Sequence, residues 1–150
     1  MSAPFIIENV RIIDPIDGFD QMGSILISDG LIKARGRIEN IKDTRSIDGK
    51  GLIASPGFID LHCHGGGGFD TMDGKDAIER MSKYHLSKGT TSLLPTTWTS
   101  TYDHTLKSLT EFNSLINESS NILGVHLEGP FINPNKLGAQ PPRTLLPSKE

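Results

Sequence analysis

Two patterns of apolar and polar positions divide the chain. From Phe5 to about Ile53, short β-type runs are separated by turn residues, and after Ser55-Pro56-Gly57 strand patterns alternate with helix patterns. A strand–helix–strand order implies parallel strands joined by crossover helices. We therefore predict a domain boundary near residue 55, between a β-rich part (1–55) and an α/β part (56–150).

One hairpin is predicted within the β-rich part. Asp29-Gly30 stands directly between the apolar runs Ile25–Ser28 and Leu31–Ala34. Asp-Gly supplies the two residues that tolerate the positive φ angles of a two-residue hairpin turn. The two runs should therefore pair as antiparallel strands.

The α/β part predicts three strands and two helices. The strands cover about 58–62, 90–96 and 122–128, and the helices cover about 75–88, stopped by Gly89, and the residues after a Thr101 N-cap as far as Ile116. The first strand is predicted to be buried, and the third, almost wholly apolar, to have both faces covered. Three such units cannot close an eight-stranded barrel, which typically needs about 250 residues, so the pattern fits either a smaller open sheet or an N-terminal piece of a barrel.

Composition and charge narrow the class of partner. The 150 residues are 35% hydrophobic and 22% charged, which is ordinary for a globular protein that can fill one core. A net charge of -3, with scattered lysines and arginines, provides no basic surface for nucleic acid. We expect a small-molecule partner.

The cysteine count and the distribution of apolar residues indicate the cellular compartment of the protein. One cysteine cannot form an internal disulfide, and the N-terminal residues lack the pattern of a signal peptide. No apolar run approaches the roughly 18 residues that cross a bilayer. The sequence predicts a cytoplasmic protein that does not span a membrane.

The sequence His62-Cys63-His64 ends the first predicted strand of the α/β part. Alternate side chains of a strand share a face, so the two imidazoles can converge on one ion while Cys63 faces the other side and packs. Glu128 ends the third predicted strand, and the carboxyl ends of parallel strands meet at one edge of the sheet. Imidazole and carboxylate are zinc ligands, so His62, His64 and Glu128 are the predicted metal ligands. The alternative is a pair of surface imidazoles at a turn and a solvated strand-end carboxylate.

Other polar and aromatic residues receive weaker assignments. His85 and His104 fall on the helices and are not predicted to be ligands, and Trp98, just after the second strand, could line a pocket or pack. Gly65–Gly68 is interpreted as a flexible loop at the mouth of the site, since it lacks the Gly-Lys-Ser/Thr ending of a nucleotide P-loop. His126 shares the strand face of Glu128 and could support the site, although a core role is the simpler interpretation.

Two segments carry a resemblance to known proteins. Pro56–His64 resembles the first barrel strand of the amidohydrolase superfamily, and the β-rich stretch before it resembles that superfamily's small β-sandwich domain. Within the superfamily, Gly124–Asn133 (Gly-Val-His-Leu-Glu-Gly-Pro-Phe-Ile-Asn) and Lys136–Gln140 resemble the N-acetylglucosamine-6-phosphate deacetylase branch.

The resemblance implies a fold and a set of site residues. The fold is α/β: the N-terminal part of a metal-dependent (β/α)8 TIM barrel, its first three units in 56–150, preceded by a partial β-sandwich domain in 1–55. The ligands map to His62, His64 and Glu128, which would hold one or two divalent ions, zinc being the expected one. Substrate contacts map to Ala139 and Gln140, where Gln140 replaces the histidine that the branch often has. The general acid/base, an aspartate, is expected beyond residue 150.

The resemblance also implies a function. A full-length enzyme would remove the acetyl group from N-acetylglucosamine 6-phosphate, and a homodimer is the assembly that the resemblance implies. The 150 residues alone are expected to be inactive because no histidine or aspartate follows Glu128. Two alternatives remain open: a cyclic-amide hydrolase of the dihydroorotase or hydantoinase type, and a truncated, non-catalytic module.

Overall fold

The computed structural model describes residues 3–39, 44–116 and 121–142. The chain divides into two compact units, Met1–Pro56 and Gly57–Glu150. No helix in the described ranges is both long enough and apolar enough to cross a membrane.

The first unit is built on one five-stranded sheet. Its strands are β1 (Phe5–Asp14), β2 (Phe19–Ser28), β3 (Leu31–Gly36), β4 (Arg45–Asp48) and β5 (Ile53–Ala54). The order is β3-β2-β1-β4, and β5 also pairs with β1. Val10, Ile12 and Ile25 form the buried cluster. The described residues of this unit contain this one sheet, so a sandwich remains a prediction.

The predicted hairpin is confirmed. Ser28 of β2 pairs with Leu31 of β3. Asp29 and Gly30 lie between them with φ angles of 53° and 73°. Positive φ at both turn residues matches the twist of the flanking strands, which is why Asp-Gly is favoured there.

The second unit alternates strands and helices, as predicted. Its elements are β6 (Phe58–Cys63), β7 (Gly65–Gly66), β8 (Phe69–Asp70), α1 (Lys75–Ser87), β9 (Thr90–Pro95) and α2 (Tyr102–Ile116). β6 and β9 are parallel. The Thr101 cap is also present, since its hydroxyl oxygen accepts a hydrogen bond from the His104 backbone N–H at 3.3 Å.

The third predicted strand is interrupted, and Pro95 explains why. Leu93 makes regular parallel bonds, donating to the Asn121 carbonyl at 2.8 Å and accepting from the Leu123 N–H at 3.1 Å. The next donor along β9 would be Pro95, which has no N–H. Its carbonyl instead accepts from the His126 N–H at 3.0 Å, one residue later than a regular register would give. The prediction of a continuous strand over 122–128 is therefore wrong, although this segment lies parallel to β9.

The core of the second unit lies on one side of its sheet. Ile78 and Met81 of α1, with Phe112 of α2, are fully buried against Leu93 and Ile122. Other apolar side chains of this unit are not covered by the described residues: Phe58, Ile59 and Leu61 are 60–67% exposed, and Leu123 and Leu127 are 57% and 46% exposed. The predictions that the first strand is buried and that both faces of the third are covered are wrong for this chain, because these apolar side chains are not covered by other described residues.

Candidate metal centre

The end of β6 places two imidazoles side by side. The Nε2 atoms of His62 and His64 are 3.1 Å apart. Cys63, between them in sequence, is 8% exposed and belongs to the core cluster. The alternation of side chains along the strand thus separates the thiol from the two imidazoles, as predicted.

Glu128 brings a carboxylate to the same point. Its Oε2 lies 3.0 Å from His62 Nε2 and 2.9 Å from His64 Nε2. The backbone of Glu128 is fixed by Thr97, whose hydroxyl oxygen accepts from the Glu128 N–H at 3.1 Å and donates to the Glu128 carbonyl at 3.4 Å. The structure therefore brings together the three side chains that the sequence selected. We name this set the histidine–glutamate cluster.

The cluster fits a metal ion. Among the described residues, Glu128 Oε2 is buried and has no hydrogen-bond partner, although both Nε2 atoms are near it. Ligands about 2.0–2.2 Å from a tetrahedral zinc ion lie about 3.3–3.6 Å from one another. The observed separations of 2.9–3.1 Å are a few tenths of an ångström shorter, so a small outward movement would admit an ion.

The residues after β9 prepare His64 for coordination. His64 Nδ1 lies 3.2 Å from the Thr96 carbonyl oxygen, which can only accept a hydrogen bond. Nδ1 therefore carries the proton, and the lone pair of Nε2 faces the cluster. The indole ring of Trp98 stacks on the other side of the imidazole, with ring centroids 3.9 Å apart.

His126 lies beside His62. Its Nδ1 is 2.9 Å from the Leu61 carbonyl oxygen, and the two imidazole rings meet edge to face with centroids 4.6 Å apart. His126 is half-buried. It therefore supports the ring of a cluster residue, which is the role weighed in the sequence, while its Nδ1 is occupied by a backbone contact.

The two predicted substrate contacts lie in different environments. Ala139 is exposed, whereas Gln140 is 8% exposed. The side-chain N–H of Gln140 donates to Glu128 Oε1 at 2.6 Å, and its side-chain oxygen accepts from the Thr99 backbone N–H at 2.9 Å. Gln140 thus contacts a residue of the histidine–glutamate cluster, and substrate contact by either residue remains a prediction.

A second group of possible metal ligands includes the buried thiol of Cys63. Donor atoms of Asp60, Cys63 and His85 lie within 4.8 Å of one another. Cys63 Sγ and His85 Nε2 both contact the Gly65 carbonyl oxygen, at 3.3 Å and 3.0 Å. Burial is the main cause that raises the pKa of the Cys63 thiol, which favours the neutral form that binds metal poorly. These contacts fix the turn after His64.

The glycine run Gly65–Gly68, interpreted from the sequence as a flexible loop, is part of a short β-hairpin. Gly65 pairs with Asp70 and Gly66 with Phe69, and Gly67 and Gly68 form the turn with φ angles of 63° and 88°. These angles favour a tight hairpin, so the run adopts a hairpin in place of an irregular loop. The remaining histidine, His104, lies 2.8 Å from Ser100 Oγ and is not part of the cluster.

Sequence reasoning missed the role of residues 96–99. Thr96, Thr97, Trp98 and Thr99 follow β9 and contact, in turn, His64, Glu128, His64 and Gln140. Their position in the sequence could have indicated this role. They follow the carboxyl end of β9, which lies between β6 and the segment 122–126, and active-site residues of parallel sheets gather at that edge.

Comparisons with known proteins now place the chain in a family. Residues 53–147 match the family model described as the amidohydrolase family. The chain belongs to the amidohydrolase family. Among curated relatives, an N-acetylglucosamine-6-phosphate deacetylase of Lysinibacillus sphaericus is 31% identical over 140 residues, covering 91% of this chain and 36% of the relative.

A solved structure supports the same family assignment. The crystal structure of N-acetylglucosamine-6-phosphate deacetylase from Thermotoga maritima superposes with a TM-score of 0.77 at 34% identity, covering 97% of this chain and 38% of that one. A dihydroorotase of Anaeromyxobacter sp. (strain K) is 38% identical over a shorter stretch of 65 residues, 43% of this chain. The chain thus spans little more than a third of the length of the deacetylases that it matches.

Proposed function

We propose that the chain is the N-terminal part of a metal-dependent hydrolase that removes the acetyl group from N-acetylglucosamine 6-phosphate. The observation that carries the proposal is the convergence of His62 Nε2, His64 Nε2 and Glu128 Oε2 within 3.1 Å of one another at one edge of a parallel sheet. The similarity to deacetylases over most of the chain supports the substrate class. The arrangement of this unit as the start of an eight-stranded barrel is part of the proposal.

His62, His64 and Glu128 would hold the ion. Two imidazole nitrogens and one carboxylate oxygen form a donor set that zinc accepts, with room for one more ligand, so zinc is the proposed ion. A divalent ion held there lowers the pKa of water and polarises an amide carbonyl, which is the chemistry that acetamide hydrolysis needs.

The residues of this chain contribute orientation. The Thr96 carbonyl holds the proton of His64 on Nδ1, and the Thr97 hydroxyl holds the backbone of Glu128. The group that takes the proton from water and passes it to the leaving amine is proposed to be an aspartate outside these 150 residues. The 150 residues alone are therefore proposed to be inactive.

A cyclic-amide hydrolase is the second candidate. The similarity to a dihydroorotase supports it, but over 43% of the chain only. The deacetylase relative matches over 91% of the chain, so we favour the deacetylase. Turnover of dihydroorotate without turnover of the acetylated sugar would reverse that preference.

The test uses the product of the native gene, isolated at its natural length and identified by intact mass. Acetate release from N-acetylglucosamine 6-phosphate should depend on zinc and should be lost in Glu128→Ala. Glu79→Ala is the matched control, because Glu79 lies on α1 and pairs with the exposed Lys83. Unchanged activity in Glu128→Ala would contradict the proposal. An intact mass near 16.3 kDa would favour a non-catalytic module.

A further inference from the structure

We infer that Gln140 is a positioning residue that fixes the carboxylate of Glu128 for metal binding. The inference rests on the proposed metal site and deepens it. It assigns to Gln140 the orientation of a proposed metal ligand. The sequence analysis instead predicted that Gln140 contacts substrate.

The direction of the Gln140 side chain is set by its two contacts. The Thr99 backbone N–H can only donate, so the atom 2.9 Å from it must be the amide oxygen of Gln140. The amide nitrogen therefore faces Glu128 Oε1, 2.6 Å away. Each contact by itself selects one of the two orientations of the amide, and the two contacts select the same one.

This contact gives the two carboxylate oxygens of Glu128 different roles. Oε1 accepts from the Gln140 amide, whereas Oε2 faces the two imidazoles at 2.9–3.0 Å. A hydrogen bond to an ionised carboxylate is short and strong, so it resists rotation of the group. Gln140 thus leaves Oε2 as the oxygen that is presented to an ion.

The support behind Gln140 is buried and belongs to the same segment that orients His64. Thr99, which anchors the amide, is 3% exposed and follows Trp98, which stacks on His64. Gln140 itself is held by a turn in which its backbone N–H donates to the Leu137 carbonyl at 3.1 Å. The amide therefore ties Glu128 to the segment that holds the imidazole opposite it.

The experiment measures the Zn²⁺ affinity of the native-length gene product by competition with a chromophoric chelator. Gln140→Met keeps the length of the side chain and removes both hydrogen bonds, and it should weaken Zn²⁺ binding about 10- to 100-fold, as loss of a group that orients a ligand does. Asn135→Ala is the matched control in the same loop, where the backbone N–H of Asn135 makes the turn contact with Asn133. It should leave the affinity unchanged.

A double-mutant cycle separates positioning from a general structural role. In a Glu128→Ala background, Gln140→Met should change the residual affinity less than about twofold, because a residue that acts through Glu128 has nothing left to orient. If Gln140→Met does not fold, Gln140→Asn keeps a buried amide that is one methylene too short to span both contacts, and it should show the same loss.

Three outcomes would overturn the inference. Equal Zn²⁺ affinity in the parent and in Gln140→Met would overturn this inference and leave the proposed function standing. A rise in the KM of the full-length enzyme in the same variant would indicate that Gln140 contacts substrate. Equal losses in the parent and Glu128→Ala backgrounds would indicate a structural role. A native-length parent protein that binds no Zn²⁺ would overturn the proposed function and this inference together.

Discussion

The indole ring of Trp98 stacks on the imidazole of His64, with ring centroids 3.9 Å apart and planes inclined by 22°. His64 Nε2 is at the same time 2.9 Å from Glu128 Oε2. The single tryptophan of the chain is therefore in direct contact with a proposed metal ligand.

Trp98 fluorescence should report metal binding. Coordination by His64 changes the charge and the position of the ring that touches the indole, so titration with Zn²⁺ should change the emission until one ion is bound. In Glu128→Ala the same change should need at least about tenfold more Zn²⁺. An emission spectrum that does not respond to Zn²⁺ while a chelator assay detects binding would place the ion elsewhere.

Zinc should stabilise the second unit against urea. An ion that binds only the folded form, at about 100 times its Kd, adds about 2.7 kcal/mol to the free energy of unfolding. We expect this gain for the parent chain, followed by Trp98 fluorescence, and its removal by a chelator. His62→Ala should lose most of the gain, whereas His104→Ala, which alters a histidine outside the cluster, should keep it.

Replacing Thr97 should test how the backbone of Glu128 is held. Thr97→Val removes the hydroxyl that accepts from the Glu128 N–H at 3.1 Å and leaves that N–H unsatisfied, at a cost of about 1–3 kcal/mol in the free energy of unfolding. Zn²⁺ affinity should fall about tenfold. Thr97→Ser keeps the hydroxyl and should retain most of the affinity. Parental affinity in Thr97→Val together with a loss in Thr97→Ser would mean that the methyl group, rather than the hydroxyl, is what matters.

The ion pair between Arg11 and Asp20 should make the first unit sensitive to acid. A hydrogen bond from Arg11 is the largest cause that lowers the pKa of Asp20 below its usual 3.8. Because the folded pKa is depressed, the contribution to stability is present above pH 3.8 and is lost as the pH falls through the folded value.

Urea unfolding followed by circular dichroism provides the measurement for this pair. Asp20→Asn should be slightly less stable than the parent near neutral pH, and the difference should vanish in strong acid. Both side chains are about half exposed, so added salt should reduce the difference. A difference that grew on acidification would contradict the assignment.

Cys63 should react slowly with iodoacetamide. Its thiol is buried and its pKa is raised, so little thiolate is available in the folded chain. We expect alkylation at about pH 8 to be at least tenfold slower than in urea. Rapid labelling of the folded chain would show that the core around β6 opens readily.

The parts of the site that the sequence predicted depend on local rules. Side-chain alternation along a strand places His62 with His64, and the common edge of parallel strands brings Glu128 to them. Both rules apply without knowing how the loops between the strands fold. The functions of the ligands themselves remain predictions, because geometry alone does not show that an ion binds.

The parts that the sequence did not predict depend on contacts between distant segments. Gln140 reaches Glu128 through a loop without periodicity, and His85 reaches the Gly65 carbonyl from a helix. The exposure of Phe58, Ile59 and Leu61 in β6 was missed because an apolar strand was taken to be covered on both sides. The interrupted third strand had a readable cause, since a proline within β9 removes a donor from the ladder.

The end of the backbone ladder at His126 also decides which substitutions can move the carboxylate of Glu128. In a regular ladder the backbone of every strand residue is set by its neighbours, and one substitution rarely shifts it. Here the ladder breaks before Glu128, and the side chains of Thr97 and Gln140 hold that residue. The placement of this proposed ligand is therefore adjustable by point substitution at two positions, without rebuilding the sheet.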